Sequence, residues 1–192
     1  TFLVPMDSPG ITVDPVLTMS TERSNATFYD DVRVSPDNVL GEPHEGWSTL
    51  GDMLSFERGM GNTSFGTPLL RRFAAWAVET GRIDDVLVRE RMAHIAIDNE
   101  VSRLLTQRTV WLAASGALPG TEGSIAKVHA TEAYQRASRW LQAAAGAAGL
   151  LGFGEPGAAA DGWIDHDVRH SVPQTLQGGT SEINRNNIAE RH

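Results

Sequence analysis

At Gly46 the sequence changes period, and that change narrows the folds open to it. Before it, short β-prone pieces at residues 2–4, 11–13, 26–29 and 32–34 are separated by Ser8-Pro9-Gly10, Asp14-Pro15 and Ser35-Pro36-Asp37-Asn38, which predicts a small, incomplete sheet. After it, apolar residues recur at helical spacing, and glycine and proline become punctuation. One helix is expected over residues 47–80, loosened or kinked by Gly59, Gly61, Gly66 and Pro68 and stopped by Gly81. A second is expected over 84–115, where Ala93, Ile97, Val101, Leu104 and Trp111 with Leu112 follow the three-, four- and seven-residue spacing of a buried stripe, and Gly116, Pro119 and Gly120 break it. A third covers 124–148, with an alanine-rich end around Gly146 that would let another backbone approach closely. Residues 149–179 read as irregular apart from a short helix over 163–169, and a last helix starts near Ser181. The expected fold is mainly α. Helices of about 30 residues reach about 45 Å and favour packing against a partner subunit.

Charge and composition exclude several roles. With 24 acidic and 16 basic residues among 192, the chain has no basic face for nucleic acid. No apolar run approaches the roughly 20 residues of a membrane span, so membrane insertion is not expected. The absence of cysteine removes disulfides, thiolate metal sites and a cysteine nucleophile, and the expected compartment is the cytoplasm. A start at Thr1, on a strand-like segment, leads to the expectation of a piece of a longer chain.

Four stretches invite a functional reading. Gly152-Phe153-Gly154-Glu155-Pro156-Gly157 matches a dinucleotide-binding pattern by letter, but a helix precedes it and Pro156 removes a donor, so it reads as a loop. His166 and His170, four apart beside Asp165, Asp167 and Arg169, share one helical face; without a third ligand they read as a solvated polar face. Glu57 stands between Phe56 and Arg58 within an apolar helical stretch. It is either a structural ion pair with Arg58 or a base whose pKa is raised by apolar neighbours. The segment QGGTSEINRNNIAER, from residue 177, brings two glycines to the start of a polar helix. Gly178 and Gly179 permit close approach, the first N–H groups of that helix are free, and Glu182 in its first turn would repel phosphate. That junction is either an ordinary capped helix or a site for a ligand offering hydroxyls or neutral ring atoms.

Taken together these segments resemble the acyl-CoA dehydrogenase family. FLVPMDSPGI and ATFYDDVRVSPDNVLGEPHEGW look like the second half of its central β-domain, SFERG like the opening of its C-terminal helical domain, and QGGTSEINRNNIAER like its terminal motif. The resemblance implies a C-terminal four-helix bundle over residues 45–192, preceded over 1–44 by an incomplete part of a β-barrel-like domain. It implies an enzyme that binds FAD and an acyl-CoA thioester, abstracts the α-proton with a glutamate and passes the β-hydrogen to the flavin as hydride. Thr180, Ser181 and Glu182 would contact FAD, and Gly179 would lie against the substrate. Many members carry the base at the position held here by Gly178. A smaller group, similar to isovaleryl-CoA and long-chain acyl-CoA dehydrogenases, carries it before an arginine on the first helix of the bundle. That position is Glu57, with Phe56 and Arg58 near the acyl-CoA.

Two stretches depart from the family pattern. Thr80-Gly81-Arg82-Ile83-Asp84 stands where an Arg-x-x-Phe-Gly motif reaches the FAD of a neighbouring subunit, and residues 143–147 keep only Gly146 of a Gln-x-x-Gly-Gly turn. The expected partners are an electron-transfer flavoprotein or similar acceptor and further subunits in a homo- or hetero-oligomer, a dimer or tetramer. The rival readings are an acyl-CoA oxidase and a non-catalytic helical subunit that serves assembly alone.

Overall fold

The computed structural model describes the chain except residues 21, 61–64, 117–120 and 192; of the helical residues 52, 55–60 and 191 it describes the backbone only. Two strands, β1 (Ile11–Leu17) and β2 (Arg23–Tyr29), pair antiparallel with Ile11 opposite Tyr29. Phe2 forms an isolated bridge to Val39, and residues 32–34 form no strand. The break expected at Asp14-Pro15 is also absent, because β1 runs through it. The N–H of Asp30 donates to Gly10 O, which puts the hydrogen-bonded pairs on even positions of β1. Pro15 therefore falls at a position whose missing N–H points away from β2. Leu17, Met19, Phe28 and Tyr29 are exposed, so the ribbon has no covered apolar face of its own.

Among the described residues, six α-helices follow: α1 (Gly46–Met60), α2 (Gly66–Glu79), α3 (Val86–Ala114), α4 (Glu122–Ala145), α5 (Trp163–Gln174) and α6 (Ser181–Arg191). The single helix expected over 47–80 is thus two helices. Pro68 lies in the first turn of α2, where a missing N–H leaves no intrahelical bond unmade. Gly81, at φ +70°, follows α2 as expected. Asp85 caps α3 by accepting from Leu87 N at 2.8 Å. The short helix expected over 163–169 extends to Gln174 and takes Pro173 into its last turn.

Among the described residues, the core is drawn chiefly from four helices: Leu69, Phe73 and Ala77 of α2, Val88 and Ile95 of α3, Tyr134, Ala137, Leu141 and Ala145 of α4, and Ile164 of α5, with Ala159 of the turn before α5. The mainly α, four-helix architecture expected from the sequence is the one observed.

The stripe expected to bury α3 faces the other way. Ile97, Leu104 and Trp111 are 59%, 51% and 66% exposed, and the row inside is Val88, Ile95, Ser102 and Thr109. Ser102 and Thr109 can sit inside because their hydroxyls donate to Asp98 O and Leu105 O of their own helix. Another expected approach is also displaced: among the described residues no atom lies within 4 Å of a Cβ built at Gly146, whereas one at Gly149 would meet Gln142 O at 2.9 Å. Among the described residues, no helix is long and apolar enough to cross a membrane.

Candidate active site

The turn between α5 and α6 is fastened at its base and at its tip. At the base, Thr175 O accepts from Ser181 N at 3.1 Å and from Lys127 Nζ at 3.1 Å. Lys127 belongs to α4 and is only 1% exposed; burial lowers its pKa, with Glu132 and Glu182 opposing. At the tip, Gly178 and Gly179 take φ of +64° and +87°, which glycine adopts without a Cβ penalty. The Asn184 side chain, fully buried, donates through Nδ2 to Gly179 O at 2.9 Å and Thr180 O at 3.0 Å, and reaches Gly178 O at 3.4 Å.

This arrangement fixes where the amides point. In a planar trans peptide the N–H lies opposite the C=O. With the carbonyls of Gly178 and Gly179 drawn to Asn184, the N–H groups of Gly179 and Thr180 face the other side, and neither has a hydrogen-bond partner among the described residues. Among the described residues, nothing lies within 4 Å of where a Cβ on Gly178 would stand. Ser181 Oγ is buried and without a hydrogen-bond partner among the described residues. The turn thus offers two amides without partners and open space at Gly178, and the buried Ser181 hydroxyl is a third polar group without a partner among the described residues.

The neighbouring residues of the motif also serve their own helix. Ile183 N donates to Thr180 Oγ1 at 3.2 Å, which makes Thr180 the cap of α6. The Glu182 carboxyl is held below its ordinary value chiefly by its own backbone N–H and then by the Thr180 hydroxyl. Gly179 and Glu182 are exposed, Thr180 is half-buried and Ser181 is buried. Phe56, Glu57 and Arg58 lie on the backbone of α1, but their side chains fall outside the described residues, so the distance from Glu57 to the turn is not part of this geometry.

The histidine pair is placed on one face of α5, as its spacing predicts, but that face is not solvated. The rings of His166 and His170 stack at 5.4 Å within a cluster formed by Phe65, Tyr134, Phe153 and Trp163. Tyr134 donates to Asp167 Oδ1 at 2.7 Å and sits 3.1 Å from His170 Nδ1; His170 Nε2 lies 2.8 Å from Glu22 Oε1. The Arg72 guanidinium lies 3.6 Å over the Trp163 ring and 3.8 Å from Asp167 Oδ2. Burial pushes the Asp167 carboxyl up against the pull of Tyr134, Arg72 and His166, and burial likewise raises the Tyr134 phenol. No group of three or more metal-ligating side chains occurs among the described residues.

The other expectations divide. Gly152-Phe153-Gly154-Glu155-Pro156-Gly157 is a loop, with Gly154 and Gly157 at positive φ. The two stretches that depart from the family pattern touch one another, because Arg82 Nη1 donates to Ala144 O at 3.0 Å. An open groove of about 500 Å³ between α2 and α3, lined by Thr67, Pro68, Leu70, Asn99, Glu100 and Arg103 among others, holds none of the residues expected at the site. Sequence reasoning missed Lys127 and Asn184. The only trace of Asn184 is its place one helical turn after Thr180; Lys127 leaves none, since its burial depends on where α5 ends.

Comparison with known proteins agrees with this fold. The chain is similar to acyl-CoA dehydrogenase FadE26 of Mycobacterium tuberculosis, 32% identical over 203 residues that cover 97% of this chain and 49% of that protein. It is similar to acyl-CoA dehydrogenase IpdE1 of Mycolicibacterium smegmatis, 30% identical over 194 residues that cover 98% of this chain and 47% of that one. The chain therefore spans about half the length of these relatives. Among solved structures, the Tcur3481-Tcur3483 steroid ACAD superposes with a TM-score of 0.90 at 30% identity, over 98% of this chain and 50% of that one. The ChsE4-ChsE5 complex from Mycobacterium tuberculosis superposes with a TM-score of 0.87 at 31% identity, over 99% and 51%. Residues 44–192 match the profile described as acyl-CoA dehydrogenase, C-terminal domain, and the chain belongs to the acyl-CoA dehydrogenase family.

Proposed function

We propose that this chain is the C-terminal part of an FAD-dependent acyl-CoA dehydrogenase whose catalytic base is Glu57. The observation that carries the reading is the Gly178–Gly179 turn, with two outward amides beside open space. The α-proton of a thioester is too weakly acidic for a carboxylate unless the charge growing on the carbonyl oxygen is stabilised. Amides at Gly179 and Thr180 are fixed donors suited to that oxygen, and Gly179 brings the backbone against the substrate. Glu57 then takes the α-proton as the α C–H bond breaks, and the double bond forms as the β-hydrogen leaves as hydride. Bound FAD supplies the acceptor for that hydride. Thr180, Ser181 and Glu182 would hold the flavin, a role supported by the unmet Ser181 Oγ, with Phe56 and Arg58 beside the acyl-CoA.

Gly178 cannot serve as base, having no side chain, which is why the role falls to Glu57 before Arg58. The similarity to a steroid ACAD at 30% identity supports a bulky, ring-bearing acyl group, and the similarity to two-protein complexes supports a hetero-oligomer. Thr80, Ile83 and Asp84 stand where the family's Arg, Phe and Gly reach across to a neighbour's FAD, which supports a different subunit as the supplier of those contacts. An electron-transfer flavoprotein is the proposed acceptor, and residues 1–44, with their uncovered β-ribbon, are the proposed end of the central β-domain. The same departures favour a second reading, a helical subunit that serves assembly alone.

The test is the full-length protein, purified with any co-expressed partner and titrated anaerobically with straight-chain, branched and steroid-side-chain acyl-CoA thioesters. A yellow protein that bleaches with one of them, and that reoxidises slowly in air, is expected. Rapid reoxidation by oxygen would make it an oxidase, and a colourless protein would make it an assembly subunit.

A further inference from the structure

The buried polar cluster of α4 and α5 reaches the β-ribbon at Glu22, and the donors along that path can be assigned one by one. Glu22, in the turn between β1 and β2, places Oε1 2.8 Å from His170 Nε2 of α5, and a carboxylate only accepts. On the other side of the ring, Nδ1 lies 3.1 Å from the Tyr134 oxygen, whose own proton goes to Asp167 Oδ1. Both ring nitrogens thus face acceptors, an arrangement that only an imidazolium satisfies. Gln174, 3.0 Å from Nε2, can present either end of its carboxamide.

A neutral ring keeps both contacts only if Tyr134 turns its proton from Asp167 to Nδ1, and Asp167 then needs a proton of its own to bond the phenol. Burial of Asp167 favours its protonated form, which supports this second arrangement. The two arrangements hold the same number of protons: one sits on His170 or on Asp167, with Tyr134 between them. The surrounding charges require it. Arg169 and Asp165 neutralise each other. Glu22 and Asp167, set against Arg72 at 3.8 Å from Asp167 Oδ2, leave a surplus negative charge that one proton cancels. A further proton on His166, whose ring stacks on His170 at 5.4 Å, would be repelled by the first.

We propose that His170, Tyr134 and Asp167 share one proton, and that this proton latches the β1–β2 turn to the helical bundle through Glu22. The latch is independent of the activity proposed above. When the proton leaves at alkaline pH, the neutral ring turns a lone pair on either Tyr134 or Glu22, and the ion pair with Glu22 is lost in both cases. Arg169 Nη1 also donates to Met19 O of this turn, but at 3.4 Å it is the weaker tie.

The test is hydrogen exchange in the full-length protein, purified with its cofactor and any co-expressed partner, read by mass spectrometry on peptides spanning residues 16–24. Exchange is followed between about pH 5 and about pH 9, with each rate divided by the intrinsic rate at that pH. In the parent, protection of the turn should fall about tenfold in a single-proton step as pH rises, the equivalent of one hydrogen bond to a charged group. Glu22→Gln, an exposed and nearly isosteric change, should show the unlatched protection at every pH. Tyr134→Phe removes the acceptor at Nδ1 and should move the midpoint of the step down by about one pH unit. A flat parent profile, or a Glu22→Gln protein that keeps the step, overturns the latch. An unmoved midpoint in Tyr134→Phe overturns the shared proton. If Tyr134→Phe does not fold, Asp167→Asn, which removes the carboxylate charge and keeps an acceptor for the phenol, should lower the same midpoint and decides the same point.

Discussion

Tyr134 donates its phenol proton to Asp167 Oδ1 at 2.7 Å, and both residues are buried between α4 and α5. Asp167 Oδ2 is buried and has no hydrogen-bond partner among the described residues. Tyr134→Phe would leave the whole carboxyl without a hydroxyl donor. A loss of about 1–3 kcal/mol in unfolding free energy is expected, the usual cost of stranding a buried polar group, read from urea denaturation at neutral pH. An unchanged midpoint would mean that Arg72 and His166 satisfy Asp167 without the phenol.

Asp167 also gives the fold a pH dependence with a definite sign. Its folded pKa is raised above the ordinary aspartate value of 3.8, chiefly by burial. The folded state therefore keeps this proton at a pH where the unfolded state has released it, and stability falls as pH rises from 3.8 through the folded value. Above that window the ionised carboxylate is a net cost. Asp167→Asn, which keeps an acceptor for Tyr134, should flatten this part of the stability–pH curve, so that the variant gains on the parent from acid toward neutral pH. Parallel curves for the two proteins would show that Asp167 is not perturbed.

The two glycines of the turn should differ in their tolerance. Alanine in the left-handed region costs roughly 1–2 kcal/mol, and Gly178→Ala meets nothing more, since its Cβ enters open space. A Cβ at Gly179 lies 3.1 Å from Asn184 Nδ2, so Gly179→Ala carries the same strain and also presses on the clamp. Gly179→Ala should be the less stable of the two in urea denaturation. Equal stabilities would show that Asn184 yields freely.

The exposed apolar row on α3 predicts an assembly surface. Leu104→Glu and Trp111→Glu lie on a solvent-facing part of the helix and should alter the stability of the isolated chain by no more than about 0.5 kcal/mol. In the full-length protein the same changes should lower the assembled mass measured by light scattering. A full-length assembly that keeps its mass with both substitutions would place the subunit contact elsewhere.

Helix type was legible because the period of the sequence is a backbone property, and it located α3 and α4, whereas α1 and α2 were read as one helix. The facing of α3 was not, because this helix carries two apolar rows. The row with Val88 and Ile95 is completed by Ser102 and Thr109, whose hydroxyls turn back on their own helix and so behave as small core residues. Periodicity alone cannot say which row meets this chain and which awaits another surface. The passage of β1 through Pro15 depends on pairing parity, which only the partner strand sets. The spacing of His166 and His170 gave their common face, but the aromatic cover comes from Phe65, Tyr134 and Trp163, on other turns and helices. At the terminal motif the glycines were legible by their freedom, whereas Asn184 gains its role only once the turn has folded back on it.

The central claim is that the carboxylate at position 57 removes the substrate's α-proton. Glu57→Gln in the full-length protein, mixed anaerobically with the bleaching acyl-CoA in a stopped-flow spectrophotometer, tests it most directly. The flavin should remain bound and its absorbance should persist, with the bleaching rate lowered by at least about a thousandfold, the scale on which a positioned base accelerates proton transfer. Bleaching at the parent's rate would contradict the account and assign the base to another residue.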